Sequence, residues 1–198
     1  GYVKGVCRGD KPQLNQFATG VGNEVVTLEP GSTDAGLTRY HVDRGKLFVQ
    51  ERFGGHEIID VPTIQSNIEW TRFPVPNRED HDHHVDLFPS IVRSADLIGQ
   101  LGDPRYLQKV AALFYEFEET GANRAIGYKT PGDLRTSYPK FYWSGVYPFV
   151  KDAITYLSFT QAGQGYLAQL YANVFRMEHE NGSNQFERPS EPNEGVSE

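Results

Sequence analysis

Apolar positions recur with the spacing of an α-helix over most of the chain after residue 44. The clearest case begins with Asp103 and Pro104, which have the cap and first-turn chemistry of a helix start, and it ends at Gly121. Its apolar stripe consists of Leu107, Val110, Ala111, Phe114 and Phe117. This pattern predicts a helix over the segment.

Similar start signals and apolar stripes occur in other segments. Asp60 and Pro62 predict a helix over residues 60 to 73, and Pro89 opens another that continues to residue 101. Thr130 followed by Pro131 predicts a further start, and helical periodicity returns over residues 150 to 157 and 167 to 177. We therefore predict an all-α fold.

Both ends of the chain depart from this pattern. Residues 1 to 43 are rich in glycine and lack a sustained helical period, so we predict a loop-rich N-terminal segment with a short strand near Val25. The helical domain is predicted over residues 44 to 178. Residues 179 to 198 are polar and acidic, and we predict that they form a disordered tail.

Charge and composition narrow the class of protein. The chain has 19 Lys plus Arg and 26 Asp plus Glu residues, a net charge of −7, but six of the acids and only one base lie within residues 178 to 198. The nearly neutral remainder offers no basic surface for a nucleic acid. No apolar run approaches the roughly 20 residues of a membrane span. Cys7 is the single cysteine, which excludes an internal disulfide and a Cys-based zinc site and is typical of a cytoplasmic protein.

Asp96 is the most informative polar position. It lies in a predicted helix, next to a stripe formed by Ile91, Ala95 and Ile98, so its carboxylate is expected at the edge of the buried face or within it. A carboxylate there requires a hydrogen bond, an ion pair or a bound cation. Arg93, three residues earlier, would supply a structural ion pair, and a metal ion is the functional alternative.

Histidines provide further candidate ligands. The sequence HDHH at residues 81 to 84 offers imidazole and carboxylate groups suited to zinc, manganese or iron, although a solvated polar loop explains the same pattern. His41 lies beside Asp43 and Arg44 and could complete a metal site or bind phosphate. A surface or capping role is the alternative for His41, and a loop role is expected for His56.

The stretch IDVPTIQSNIEWTRFPVP followed by SIVRSADLIGQLGDPRYLQK resembles the C-terminal half of an HD-domain metal-dependent phosphohydrolase. In that superfamily a helix with an Ala-Asp pair supplies the last metal ligand, and Asp96 occupies that position. The resemblance extends less specifically through KVAALFYEFEETG to LYANVFRMEHE, where the chain is similar to an uncharacterised bacterial group of HD-domain proteins. It implies an HD-domain-like helical bundle and a divalent metal cofactor, which would be Mn, Mg, Fe or Zn.

The chain departs from the family pattern upstream of Asp96. The superfamily uses an early His and then a His-Asp pair after an apolar helix, whereas His81 and Asp82 follow the polar sequence NRED and precede Asp96 by only 14 residues. The chain also begins at Gly1 rather than at an initiator Met. We therefore expect a fragment that lacks the upstream His and His-Asp ligands, with His41 as an additional candidate ligand.

The resemblance implies metal-dependent hydrolysis of a phosphoester, such as a nucleotide. Asp96 would anchor the metal, and Arg93, Arg135 and Lys140 would bind the phosphorylated small molecule. The aromatic residues that surround Arg135 and Lys140 could stack a base, or they could simply pack the bundle. The alternative function is a non-catalytic HD-like helical module that binds a nucleotide or a protein partner. The sequence leaves the oligomeric state open.

Overall fold

A computed structural model of the chain describes residues 2–75 and 88–183, without the side chains of residues 181–183. Helices dominate these residues, which confirms the predicted all-α fold. The helices are α1 (His41–Phe53), α2 (Val61–Trp70), α3 (Phe88–Leu101), α4 (Tyr106–Thr120), α5 (Ala122–Ile126), α6 (Pro131–Phe141), α7 (Tyr147–Leu157) and α8 (Gln161–Ser183).

Local capping chemistry explains where several helices begin and end. The Asp60 carboxylate accepts a hydrogen bond from the Thr63 backbone N–H at 3.2 Å, immediately before α2. Thr130 and Asp133 form a capping box at the start of α6. Gly121 ends α4 in the left-handed conformation, with a φ of +75° that favours glycine. These three boundaries follow from short-range interactions.

The main core lies between α3, α6, α7 and α8. A π-helical segment, Tyr142–Val146, joins α6 to α7. Its wider turn leaves Tyr142 and Val146 buried in the core, while Trp143 is partly exposed and donates a hydrogen bond to Glu178 of α8 at 2.8 Å. Of the aromatic run that starts at Phe141, Tyr142 therefore packs in the core.

The N-terminal segment packs against α1. It contains two short antiparallel strands, β1 (Gln16–Ala18) and β2 (Val25–Thr27), in the region where a strand was predicted. Arg44 of α1 is fully buried, and its guanidinium donates to the two carboxylate oxygens of Asp10 at 3.0 and 2.9 Å. The predicted domain start at residue 44 falls inside α1, which already begins at His41.

The buried face of α3 is not the predicted one. Ile98 is buried, but Ile91 and Ala95 are exposed. The remaining buried residues of this helix are Arg93, Ser94, Leu97 and Leu101. The Arg93 guanidinium lies over the rings of Trp70 and Phe149, at 4.7 and 5.4 Å from their centroids, so cation–π contacts place a charged residue where the periodicity predicted a polar surface.

The end of the chain also differs from the prediction. Helix α8 extends to Ser183, so residues 179–183, which we predicted as the start of a disordered tail, are helical. The rest of the predicted tail, residues 184–198, lies outside the described residues. In the part of the chain that the structure covers, no helix combines the length and apolar character needed to cross a membrane.

Candidate functional site

A cleft of about 600 Å³ lies between α3 and α4. The two helices follow one another in the chain and are joined by residues 102–105, so each forms one wall. Its volume is within the range of small-molecule binding sites, roughly 300–1,000 Å³. The cleft is therefore the candidate functional site.

Small and apolar residues form the middle of the cleft. Ala95 and Gly99 contribute from α3, and Ala112 and Leu113 contribute from α4. A Cβ atom placed on Gly99 would meet no heavy atom within 4 Å, which means that this position opens onto free space. The walls thus leave room between two neighbouring helices for an apolar group.

One end of the cleft is acidic. Asp96 of α3 and Glu116 of α4 line the same cavity, and Gln100 donates a hydrogen bond to the Asp96 carboxylate at 2.9 Å. Partial burial, and then the negative charges of Asp96 and Glu116, raise the pKa of the Tyr2 hydroxyl. The N-terminal segment is therefore within electrostatic range of this end.

His41 stacks on Tyr2 of the N-terminal segment. The two rings stack, with centroids 4.5 Å apart and planes inclined by 10°. The Nδ1 atom of His41 lies 2.5 Å from the Thr38 carbonyl oxygen. Because a carbonyl oxygen only accepts hydrogen bonds, Nδ1 carries the proton and Nε2 is left with its lone pair in the neutral ring.

The environment of His41 favours the neutral form of its ring. Burial lowers the pKa of His41 below its ordinary value, and the negative charge of Asp96 acts in the opposite direction. Arg72 also lies close enough to lower this pKa, but its guanidinium is itself bound to Glu69 and Asp43. A neutral imidazole near a carboxylate is the form that binds a metal ion.

The opposite end of the cleft has balanced charges. Lys109 forms an ion pair with Asp103, which also accepts a hydrogen bond from the Arg105 backbone N–H at 2.7 Å. Tyr106 lies at this end, and burial raises the pKa of its hydroxyl to about 12, so it stays protonated and can donate a hydrogen bond. Negative charge is therefore concentrated at the Asp96 end.

Comparison with known proteins assigns a family to almost the whole chain. The model of a family described as Npun_R2479-like matches residues 1–180. The chain belongs to the Npun_R2479-like family. The family description gives no activity, ligand or partner. No curated protein and no solved structure matches this Npun_R2479-like chain.

Of the five predicted site residues, Asp96 lines the cleft. His41 is not among the described lining residues, but the negative charge of Asp96 acts on its pKa. Arg93 donates to the Trp70 carbonyl at 2.6 Å on the buried side of α3. Arg135 forms an ion pair with Glu180 of α8, and Lys140 is exposed near the end of α6. None of the three predicted phosphate-binding cations lines the described cleft.

The other histidine candidates differ in position. His56 is exposed, and its Nδ1 accepts a hydrogen bond from the Ile58 backbone N–H at 3.3 Å, which agrees with the predicted loop role. The HDHH sequence at residues 81–84 lies outside the described residues. Within the residues that the structure covers, no group of three or more His, Cys, Asp or Glu side chains has an arrangement suited to a metal ion.

Gly99 and Glu116, which line the cleft, and Tyr2, which stacks on His41, were not among the predicted site residues. Glu116 follows Ala112 by four positions, a spacing that places both on one helix face, so a signal was present. Gly99 follows Ala95 by the same interval. Tyr2 carried no comparable signal, because it precedes a glycine-rich segment without periodicity. Its role depends on tertiary packing.

Proposed function

We propose that this chain is an HD-type metal-dependent phosphohydrolase, with the metal bound at the Asp96 end of the cleft. The observation that supports the proposal is the position of Asp96, which lines the cleft from α3 and whose negative charge acts on the pKa of His41 at the start of α1. These are the two described residues that the resemblance to HD-domain proteins selects as metal ligands. The family match adds no activity of its own.

The chemistry of both residues suits a divalent cation such as Mn, Mg, Fe or Zn. Asp96 offers carboxylate oxygens, and His41 offers Nε2 because its Nδ1–H donates to a backbone carbonyl. In known metal sites, a hydrogen bond donated by the other ring nitrogen fixes the orientation of the ligating imidazole. A bound divalent metal would polarise a phosphoryl group and lower the pKa of a coordinated water.

The proposed phosphoester would require a cation at this end of the cleft. A phosphate group carries negative charge, and the carboxylates of Asp96 and Glu116 would repel it at this end of the cleft. The one cation that lines the described cleft, Lys109, is paired with Asp103 at the other end. A phosphoester would therefore bind beside Asp96 only together with a metal ion.

Metal binding is the first test. The purified chain, freed of metal, would be titrated with Mn²⁺, Fe²⁺ and Zn²⁺ by calorimetry, and the metal retained after gel filtration would be measured by mass spectrometry. Asp96→Asn and His41→Gln should each weaken binding by about 10- to 100-fold. Asp152→Asn and His56→Gln, which change an exposed Asp and an exposed His outside the cleft, are the matched controls. Equal binding by all four variants would contradict the proposal.

Activity is the second test. Phosphate release would be measured for the metal-loaded chain with nucleotides and simple phosphomonoesters, and Asp96→Asn should abolish it. A variant with His81, His83 and His84 all replaced by Ala would test whether these histidines take part. Metal binding without turnover would favour the alternative, a non-catalytic HD-like module that binds a nucleotide or a protein partner.

A further inference from the structure

We propose that the cleft between α3 and α4 binds an amphipathic α-helix of a partner protein, whose apolar side chains face the cleft and whose lysine or arginine lies beside Asp96 and Glu116. The inference goes beyond the proposed function and does not rest on it, because it concerns the metal-free chain. A basic side chain and a metal ion at Asp96 would repel one another, so the two ligands would compete.

An exposed apolar stripe runs along α3 into the cleft. It consists of Phe88, Ile91, Ala95 and Gly99, whose spacing of three and four residues places them on one face of the helix. The Phe88 and Ile91 side chains are 76% and 50% exposed. Another face of α3 packs in the main core, so this helix has two apolar faces. A contiguous exposed apolar face of this kind is typical of an interaction surface.

The second wall of the cleft comes from α4. Ala112 is exposed and Leu113 is half-buried, and both line the cavity together with Ala95 and Gly99 of α3. In the described residues, α3 packs mainly on α2, α7 and α8, whereas α4 packs mainly on α5, α6 and the 3₁₀ helix of residues 34–40. The two helices therefore leave an open cleft between them instead of closing on each other.

The dimensions of the stripe fit a helix. From Phe88 to Gly99 it extends about 16 Å along the axis of α3, which is three helical turns. A partner helix of three turns would place anchors of the same three- and four-residue spacing against it. A Cβ on Gly99 would meet no heavy atom within 4 Å, so a partner side chain has room at this position. An added β-strand is excluded, because backbone groups inside a helix are bonded within that helix.

The charges of the cleft select a basic partner. Asp96 and Glu116 line the cleft, and the ion pairs among the described residues include neither of them. Lys109 at the other end is paired with Asp103. A basic side chain of the partner would therefore be attracted to the Asp96 end, and an acidic helix would be repelled. Residues 178–198 of the chain itself, with six acids and one base, are disfavoured as the occupant for the same reason.

Binding would be measured by fluorescence anisotropy with two labelled model peptides, (KALAKAL)₃ and (EALAEAL)₃, in the presence of a chelator. The peptides have the same apolar stripe and opposite charge. We expect the parent chain to bind (KALAKAL)₃ at least about tenfold more tightly than (EALAEAL)₃, and we expect high salt to reduce this difference.

Variants would locate the binding in the cleft. Gly99→Leu would place a side chain between the walls and should weaken binding of (KALAKAL)₃ by about tenfold or more. Gly165→Leu in α8 is the matched control and should bind like the parent chain, because Gly165 is also an exposed helical glycine with open space at its Cβ and lies outside the cleft. Both variants should fold, because replacing a helical glycine removes a conformational cost. Glu116→Gln should also weaken binding, whereas Asp152→Asn, at an exposed position of α7, should not.

Three results would overturn the inference. The first is equal affinity for the two peptides, or binding of neither. The second is binding of (KALAKAL)₃ by Gly99→Leu with the affinity of the parent chain. The third is a dimer of the parent chain, detected by sedimentation, that Gly99→Leu dissociates, because a second copy would then occupy the cleft. Absence of metal binding would overturn the proposed function alone, because the peptides are measured in a chelator.

Discussion

Asp10→Ala is expected to destabilise the protein strongly, because it removes the carboxylate that neutralises a buried guanidinium. The side chains of Asp10 and Arg44 are only 1% and 0% exposed. Asp10 also accepts hydrogen bonds from the backbone N–H groups of Ala18 at 3.0 Å and Cys7 at 3.3 Å. Loss of the Asp10 carboxylate would leave the buried Arg44 guanidinium without its counter-charge. The backbone N–H groups of Ala18 and Cys7 would lose the same acceptor.

The expected cost can be bounded from these contacts. Removing one partner of a buried ion pair costs about 3–5 kcal/mol. The Arg44 guanidinium would keep its hydrogen bonds to the carbonyl oxygens of Ala18 and Val3, which favours the lower end of this range, about 3 kcal/mol. For a chain of this size, a loss of about 3 kcal/mol lowers the Tm by about 6–12 °C.

Urea unfolding followed by far-UV circular dichroism would measure the change in the free energy of unfolding. Glu180→Ala is the control, since it breaks an ion pair with Arg135 whose side chains are 52% and 38% exposed, and it should cost less than about 1 kcal/mol. The double variant Asp10→Ala with Arg44→Met should recover part of the lost stability, because it leaves no buried charge. The reasoning is wrong if Asp10→Ala is no more destabilising than Glu180→Ala.

Three further predictions concern stability and reactivity. Hydrogen bonds from Arg72 lower the pKa of Glu69 to about 2. The stabilisation that the ionised Glu69 provides is therefore complete above its ordinary pKa of 4.5 and is lost as the pH falls towards 2. Urea unfolding should show that Glu69→Gln costs about 1–2 kcal/mol at neutral pH and much less near pH 2. Gly163→Ala should lower the Tm, because the added methyl would overlap the last carbonyl of α7, whereas Gly165→Ala should leave it unchanged or raise it. Burial raises the pKa of the Cys7 thiol, so a disulfide reagent should label it more than about tenfold more slowly in the native than in the urea-unfolded chain, and equal rates would contradict its burial.

Helix boundaries were the part of the fold that the sequence predicted best. Asp60, Thr130 and Gly121 act through hydrogen bonds or backbone conformations that involve only a few neighbouring residues, so their effect is visible in the sequence alone. The all-α class follows from the same local signals combined with apolar periodicity.

The buried face of α3 could not be predicted in this way. Arg93 is buried because Trp70 and Phe149, from two other helices, supply aromatic faces for its guanidinium. Exposure of Ile91 and Ala95 likewise depends on which helices pack beside α3. Periodicity identifies a helix, but the neighbours of that helix decide which stripe is buried.

The candidate site was predicted only in part. Asp96 and His41 were selected by resemblance and by residue chemistry, and their roles as metal ligands remain predictions. Glu116 lines the cleft at a spacing from Ala112 that the sequence shows, whereas the stacking of Tyr2 on His41 depends on tertiary packing that no local pattern predicts. The roles of Arg93, Arg135 and Lys140 in substrate binding also remain predictions, and all three lie away from the cleft.

The attachment of the N-terminal segment to α1 has a consequence for the order of folding. The turns of each helix form from contacts that are close in sequence, whereas the Tyr2 ring must find the His41 ring across a long, loop-rich segment. Contacts of large sequence separation carry a higher entropic barrier and form more slowly than local helical contacts. We therefore expect the helices to form early and the first residues of the chain to dock on the start of α1 late in folding.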